Sequence, residues 1–461
     1  MKKVSAVVIL FLTFIVLFGP ACRKAEVLAD DELNEWLSGG VQTIFDESAG
    51  AFSAIFPFIS ESNEAIHELG DAAFEETFVS APAPVNPGLG PVFNNVSCSS
   101  CHIADGRGRA PLSSSELLTS MLIRVSIPGA DIHGGPNPVP GFGAQLQQRA
   151  IVGMMPEASV SVSYNEQTFS FADGQNYSLH HPSYQLSNPY ISLPGNVMIS
   201  PRVAPPVFGL GLLEAIDEND ILLAADENDA NGDGISGKAN YVWNVLEQKN
   251  TLGRFGWKAN NPTVLQQTAG AYSEDMGITS YLFPVETSFG QSQYDNRNDE
   301  VEIPDTLLRA VSFYIQTLAV PARRDADVAS VKLGKLLFQE AQCSSCHTPK
   351  MKTAVNVAFP EVSGQTIFPY SDLLLHDMGA ALADNRPDFL ANGNEWRTPP
   401  LWGIGLTNKV NGHNNYLHDG RARSLLEAIM WHGGEAEGSK NKFASFSRSE
   451  RDALIRFLES L

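Results

Sequence analysis

The chain has 461 residues, 43% of them hydrophobic and 18% charged, the proportions of a folded globular protein long enough for two or three cores rather than of a disordered one. Acidic side chains outnumber basic ones by 52 to 31, a net charge of −21. That excess excludes nucleic acid and anionic membrane as natural partners and favours a basic protein, because an acidic surface steers cations toward it.

The N-terminus sets Met1-Lys2-Lys3 before an apolar run from Val7 to Phe18, then Gly19-Pro20-Ala21-Cys22. A basic start, an apolar run of this length and small residues after it predict a secretory signal peptide over 1–21. The expected location is the periplasm or the outer surface of a bacterial membrane, with Cys22 placed to carry a lipid anchor. A polar N-terminal segment, 22–60, reads as loop with a short helix. The spacing of Ile66, Leu69 and Ala73 predicts a helix from Glu64 to Phe74. A Pro- and Gly-rich loop leads from it to Cys98-Ser99-Ser100-Cys101-His102.

That pentapeptide recurs, letter for letter, as Cys343-Ser344-Ser345-Cys346-His347. Cys-x-x-Cys-His is the attachment signature of c-type haem. The two thiols add across the haem vinyl groups when the chain makes one helical turn, and the histidine that follows binds the iron. A redox dithiol or half a zinc site needs neither the adjacent histidine nor the duplication. The sequence therefore predicts two covalently bound haem c groups, one on Cys98, Cys101 and His102 and one on Cys343, Cys346 and His347. They take four of the five cysteines, which leaves no pair for a disulfide.

Between the two motifs, about 110 to 194 reads as an insertion of loops that shields or shapes the first haem. Alternation from Ser159 to Phe171 predicts a small β-hairpin within it. A second repeat follows: Ala204-Pro-Pro-Val-Phe-Gly-Leu-Gly-Leu212 aligns without a gap with Thr398-Pro-Pro-Leu-Trp-Gly-Ile-Gly-Leu406. Each copy comes just after an arginine, Arg202 or Arg397, and Leu-Leu-Glu-Ala-Ile stands at 212–216 and 425–429. Each half closes with an apolar-periodic helix, one from Pro304 to Leu318 and one reaching Leu461 behind the capping box Ser447-x-x-Glu450. Repetition on this scale predicts two related haem domains, 61–320 and 331–461, with 321–330 as linker. The expected fold is mainly α, two cytochrome c-like domains, the first enlarged by the insertion.

What lies across each iron decides its chemistry, since a thioether suits electron transfer and an open position admits peroxide. Met378 falls in the interval where such domains present a distal ligand; Met198 and Met276 are the alternatives in the first half. His376, His418 and His432 are open to roles as distal ligands, propionate partners or surface residues. Glu214 and His432 are the candidates for moving a proton on peroxide. Asp229, Asn231 and Asp233 supply oxygens at alternate positions before Gly234, the start of a calcium loop or an ordinary Asn/Asp/Gly turn. Trp257 and Trp402 are candidate bridges between the haems.

The first haem motif, Arg202 to Ile216, Arg254 to Ala259, His376 to Gly379, Glu395 to Leu406 and His432-Gly-Gly-Glu-Ala436 together resemble the bacterial di-haem oxidoreductases, also described as peroxidases or thiol-oxidoreductase-like cytochromes. The likeness runs from about Leu37 to the C-terminus. Tyr416-Leu-His418-Asp-Gly420 and the Leu-Leu-Glu-Ala after it are more distantly similar to di-haem cytochrome c peroxidases. The resemblance implies that the second haem (His347) receives electrons and the first (His102) reacts with peroxide. It implies a small cytochrome or copper protein as donor, and peroxide or a protein side chain as substrate. Two other expectations stand beside this one: a non-catalytic electron-transfer cytochrome, and a redox partner for a metal-uptake system at the cell surface.

Overall fold

The computed structural model describes residues 34–297 and 301–461. The segment read as a signal peptide, 1–21, and Cys22 lie outside the described residues. Helices of three or more turns flank each haem motif. Helix α1 (Glu61–Glu75) precedes the first motif; the short α2 (Leu210–Glu214) and α3 (Glu218–Leu222) follow it, then α4 (Val264–Met276) and α5 (Asp305–Gln316). Helix α6 (Ala329–Glu340) precedes the second motif, with α7 (Thr407–Asn411), α8 (Leu425–Trp431), α9 (Glu437–Ser445) and α10 (Arg448–Ser460) after it. The Ser60 hydroxyl caps α1 by accepting from the Asn63 amide, and at α10 the predicted Ser447/Glu450 capping box is formed.

Two helix crossings repeat. Helix α1 meets α5 at Gly70, where a Cβ would lie 2.1 Å from the Ala310 carbonyl oxygen; α6 meets α10 at Gly334, where it would lie 2.0 Å from that of Ala453. Only glycine allows backbones that close. The Pro-Pro repeat packs on itself in the same reciprocal manner. A Cβ on Gly209 would meet the Trp402 ring at 2.6 Å, and one on Gly403 would meet the Phe208 ring at 2.6 Å. Each aromatic thus fills the space left by the other copy's glycine. Both glycines have positive φ, +73° and +70°, so they serve turn and packing together.

The expectation of a mainly α fold is corrected: the chain is 27% helical and 20% strand. Much of the strand lies in the insertion read as loop. Strand Met121–Ala130 pairs antiparallel with Met198–Val203 and with Pro136–Asn137. Its inward residues Met121, Ile123 and Val125 build an apolar cluster with Leu146, Trp257 and Trp396. The alternation Met-Leu-Ile-Arg-Val-Ser-Ile is a half-buried strand signal that the surrounding Pro and Gly obscured. The hairpin is also longer than predicted, Ser159–Ser170 against Asn176–Ser187, twelve residues a side. Its tip reaches the second half, where Phe171 and Leu179 join the core of α6 and α10 and the Arg451 guanidinium lies 3.9 Å from the Phe171 ring. The predicted linker opens in a short parallel pairing of Val320–Pro321 with Thr43–Ile44, and buried Arg323 pairs with Glu35 at 2.8 Å.

Candidate functional site

Each pentapeptide makes one tight turn. In the first, the Cys101 and His102 amides both donate to the Cys98 carbonyl, at 3.1 and 3.0 Å; in the second, the His347 amide donates to that of Cys343 at 3.0 Å. Both cysteines of a motif therefore face one space with the histidine beside them. Burial pushes the thiols up, Cys101 and Cys343 to about 12. Low-pKa thiolates are the mark of reactive dithiols, and these thiols lack that character. Among the described residues no group of three or more His, Cys, Asp or Glu side chains is arranged to hold a bare metal ion.

The two histidines are oriented alike. His102 Nδ1 lies 2.8 Å from the Pro205 carbonyl oxygen and His347 Nδ1 lies 3.0 Å from that of Tyr370. A carbonyl can only accept, so Nδ1 carries the proton and Nε2 keeps its lone pair, the tautomer an iron ligand requires. Burial lowers the pKa of His102 to about 4 and that of His347 to about 3, so both rings stay neutral.

Each motif opens on its own cavity. The first wall is mostly apolar but carries more polar groups than the second, Asn95, Asn260, Gln267, Thr268 and Asp275. The second is largely apolar, with Leu382, Leu401, Leu425 and Leu454, but carries His376, His418 and His432. Two residues line both cavities, Trp257 and Arg397. Trp257 Nε1 donates to the Val203 carbonyl at 2.8 Å, and the Arg397 amide donates to the Trp257 carbonyl at 2.9 Å.

A tetrapyrrole with carboxylate arms fits these walls. Arg107 lies buried at the second cavity, its guanidinium 5.6 Å from the Trp257 and Tyr416 ring centres. It donates to the Leu417 carbonyl, and its Nε has no hydrogen-bond partner among the described residues. Arg397 donates only to carbonyls, those of Gly256 and Thr398. Burial pulls both guanidinium pKa values down to about 10. A buried cation hydrogen-bonded to no carboxylate calls for an anion, and haem propionates would supply one. Asn260 Oδ1, also buried and unpartnered, lines the first cavity.

Of the sequence candidates, Met378 lines the second cavity and Met276, the last residue of α4, lines the first. Met198 begins a strand opposite Ser126 and lines neither. Glu214 also lines neither. Its carboxylate accepts from the Val264 amide at 2.8 Å and from Gln316 Nε2, capping α4. His376 lines the second cavity with both nitrogens engaged, Nε2 by Asp372 and Nδ1 by Glu435, each at 2.8 Å. His418 stacks flat on Trp396 with ring centres 3.7 Å apart. In the acidic loop the oxygens turn inward: Asp226 accepts from Ala230 and Asn231, Asp229 from Gly234, Asn231 from Asp233 and Asp233 from Ile235, all backbone amides. Trp402 lies in the core between the two Pro-Pro copies, away from both cavities.

Sequence reasoning missed Arg107, which sits in Gly106-Arg-Gly108 with no distinguishing pattern, and gave Arg397 no role. For Arg397 a signal existed, its place in the repeat. Arg202, its counterpart, lines the first cavity and pairs with Asp388 at 2.8 Å.

The family described as “Di-haem oxidoreductase, putative peroxidase” matches residues 34–461. No curated protein matches. Among solved structures, one described as a MauG-like protein associated with microbial copper homeostasis is similar at 17% identity, over 55% of this chain and 89% of that one, with a TM-score of 0.29.

Proposed function

Because the chain belongs to the di-haem oxidoreductase family, we propose that it is an exported peroxidase-type enzyme that takes electrons at its second haem and reacts with peroxide at its first. Each haem is held covalently, on Cys98 and Cys101 with His102 and on Cys343 and Cys346 with His347. One observation carries the reading: two cavities, each with its own Cys/Cys/His turn, are joined by the shared Trp257–Arg397 wall. Bound haem iron supplies one-electron chemistry and, where a position is free, a site for peroxide. Reducing peroxide to two waters consumes two electrons and two protons, and the residues divide that work.

At the first site the Pro205 carbonyl fixes His102 in the ligating tautomer. Asn260, Gln267 and Thr268 on its wall offer hydrogen-bonding groups to a small oxygen-rich molecule. Neither site residue offered earlier for proton transfer is placed there: Glu214 caps α4, and His432 faces the second cavity. At the second site the more apolar wall, with Leu382, Leu401, Leu425 and Leu454, suits an electron-entry haem. Arg107 and Arg397 receive the propionates, and Trp257 gives electrons a short aromatic passage. A small basic cytochrome or copper protein is the donor, attracted by the net charge of −21. The calcium reading is not part of this proposal, since the loop's carboxylates serve its own backbone.

The test is peroxide-dependent oxidation of a reduced small basic cytochrome c by the purified holoprotein. Turnover is expected, slowing as salt screens the attraction. No oxidation of any reduced donor by peroxide would leave the second reading, an electron-transfer cytochrome with both irons six-coordinate. The placement of Met276 on the wall of the first cavity favours that alternative.

A further inference from the structure

We propose that His432 is the second axial ligand of the haem at the second motif, and that Met378 is a wall residue; this rests on the reading that Cys343, Cys346 and His347 hold a haem. The observation is a hydrogen bond made three times. His432 Nδ1 lies 2.7 Å from the carbonyl oxygen of Ala428, as His102 Nδ1 faces Pro205 and His347 Nδ1 faces Tyr370. In each ring the carbonyl takes the Nδ1 proton and leaves the Nε2 lone pair free, the arrangement that marks histidine iron and zinc ligands.

Position agrees with tautomer. Leu425, Ala428, Ile429 and His432 follow one another at helical spacing and all line the second cavity, so α8 turns one face to it and His432 ends that face. The ring is only half-buried, and its Nε2 makes no hydrogen bond among the described residues. The anchoring carbonyl belongs to the last turn of the same helix, where carbonyls lack intrahelical partners. Holding the ring therefore costs the helix no hydrogen bond.

The rivals on the same wall are otherwise engaged. His376 is clamped at both nitrogens by Asp372 and Glu435. His418 stacks its ring face on Trp396. Met378 packs against both apolar clusters that adjoin the cavity, as a methionine filling space does. Histidine in place of a thioether changes the function of this site. Two imidazoles hold the potential lower than a His/Met pair does, so the second haem is a low-spin, nitrogen-ligated relay rather than a high-potential Met-ligated one.

The experiment uses the full-length holoprotein and its variants His432→Ala, His432→Met and Met378→Leu, followed by electron paramagnetic resonance, near-infrared magnetic circular dichroism and redox titration. His432→Ala is expected to turn half of the haem high-spin, with added imidazole restoring the low-spin signal. His432→Met should introduce a thioether-to-iron band and raise one of the two midpoint potentials. Met378→Leu should leave spin state and potentials as in the wild type. A spin-state change in Met378→Leu, or an unchanged low-spin spectrum in His432→Ala, overturns the assignment. Loss of half the haem in Cys343→Ser/Cys346→Ser is the separate check on the parent reading. If that variant keeps both haems, the site reading itself fails.

Discussion

At the scale of single residues, the protein keeps its buried polar groups in defined protonation states. His102, His347 and His432 each spend Nδ1 on a backbone carbonyl and keep Nε2 for the cavity. Arg107 stays charged with no carboxylate hydrogen-bonded to it. Glu157 is the opposite case. It is 1% exposed and accepts from the Gln147 amide at 2.8 Å and from Gln291 Nε2 at 2.7 Å. Burial nevertheless pushes its pKa from 4.5 to about 7. A carboxyl raised on folding binds more protons in the native than in the unfolded state, so its contribution to stability is complete below pH 4.5 and falls as pH rises to about 7. The loss is on the order of 3 kcal/mol at most. Thermal melts across this range should show Glu157→Gln losing less stability than the wild type between pH 4.5 and 7. Parallel curves would contradict the assignment.

At the scale of elements, glycines set the distances. The predicted helices at 64–74 and 304–318 are found at Glu61–Glu75 and Asp305–Gln316, because amphipathic spacing survives whatever packs against it. Apart from the hairpin, the insertion's strands were not read, because a half-buried strand broken by Pro and Gly carries a weak local signal, and pairing between residues 70 or more apart leaves none. The glycine crossings follow from the repeat once it is seen in space. Gly334→Ala should destabilise by about 1–3 kcal/mol, the cost of overpacking a tight contact, since its Cβ would press on the Ala453 carbonyl. Gly438→Ala, whose Cβ meets nothing within 4 Å in α9, should be neutral or stabilising by up to about 1 kcal/mol. Chemical denaturation of both variants checks this, and equal effects would mean the crossing is not tight.

At the scale of the whole molecule, the duplicated motif sits in unlike surroundings. The first cavity is the more polar of the two and keeps Met276 on its wall; the second is more apolar, with His432 Nδ1 bound to a carbonyl and two arginines, Arg107 and Arg397, hydrogen-bonded to no carboxylate. The duplicated Cys-x-x-Cys-His motif was legible because a signature of this kind fixes both residue type and spacing. The distal side was not, because a ligand there is defined by a hydrogen bond and a direction, and neither has a sequence period. Trp257 and Arg397 come from segments about 140 residues apart and meet only in the fold. Division of labour between the two haems is the central claim, and spectroscopy at half-reduction tests it most directly. With one electron per two haems, one haem should remain low-spin while the other shows a high-spin signal that changes on adding peroxide. Both haems low-spin at every redox poise, with no spectral response to peroxide, would contradict the account.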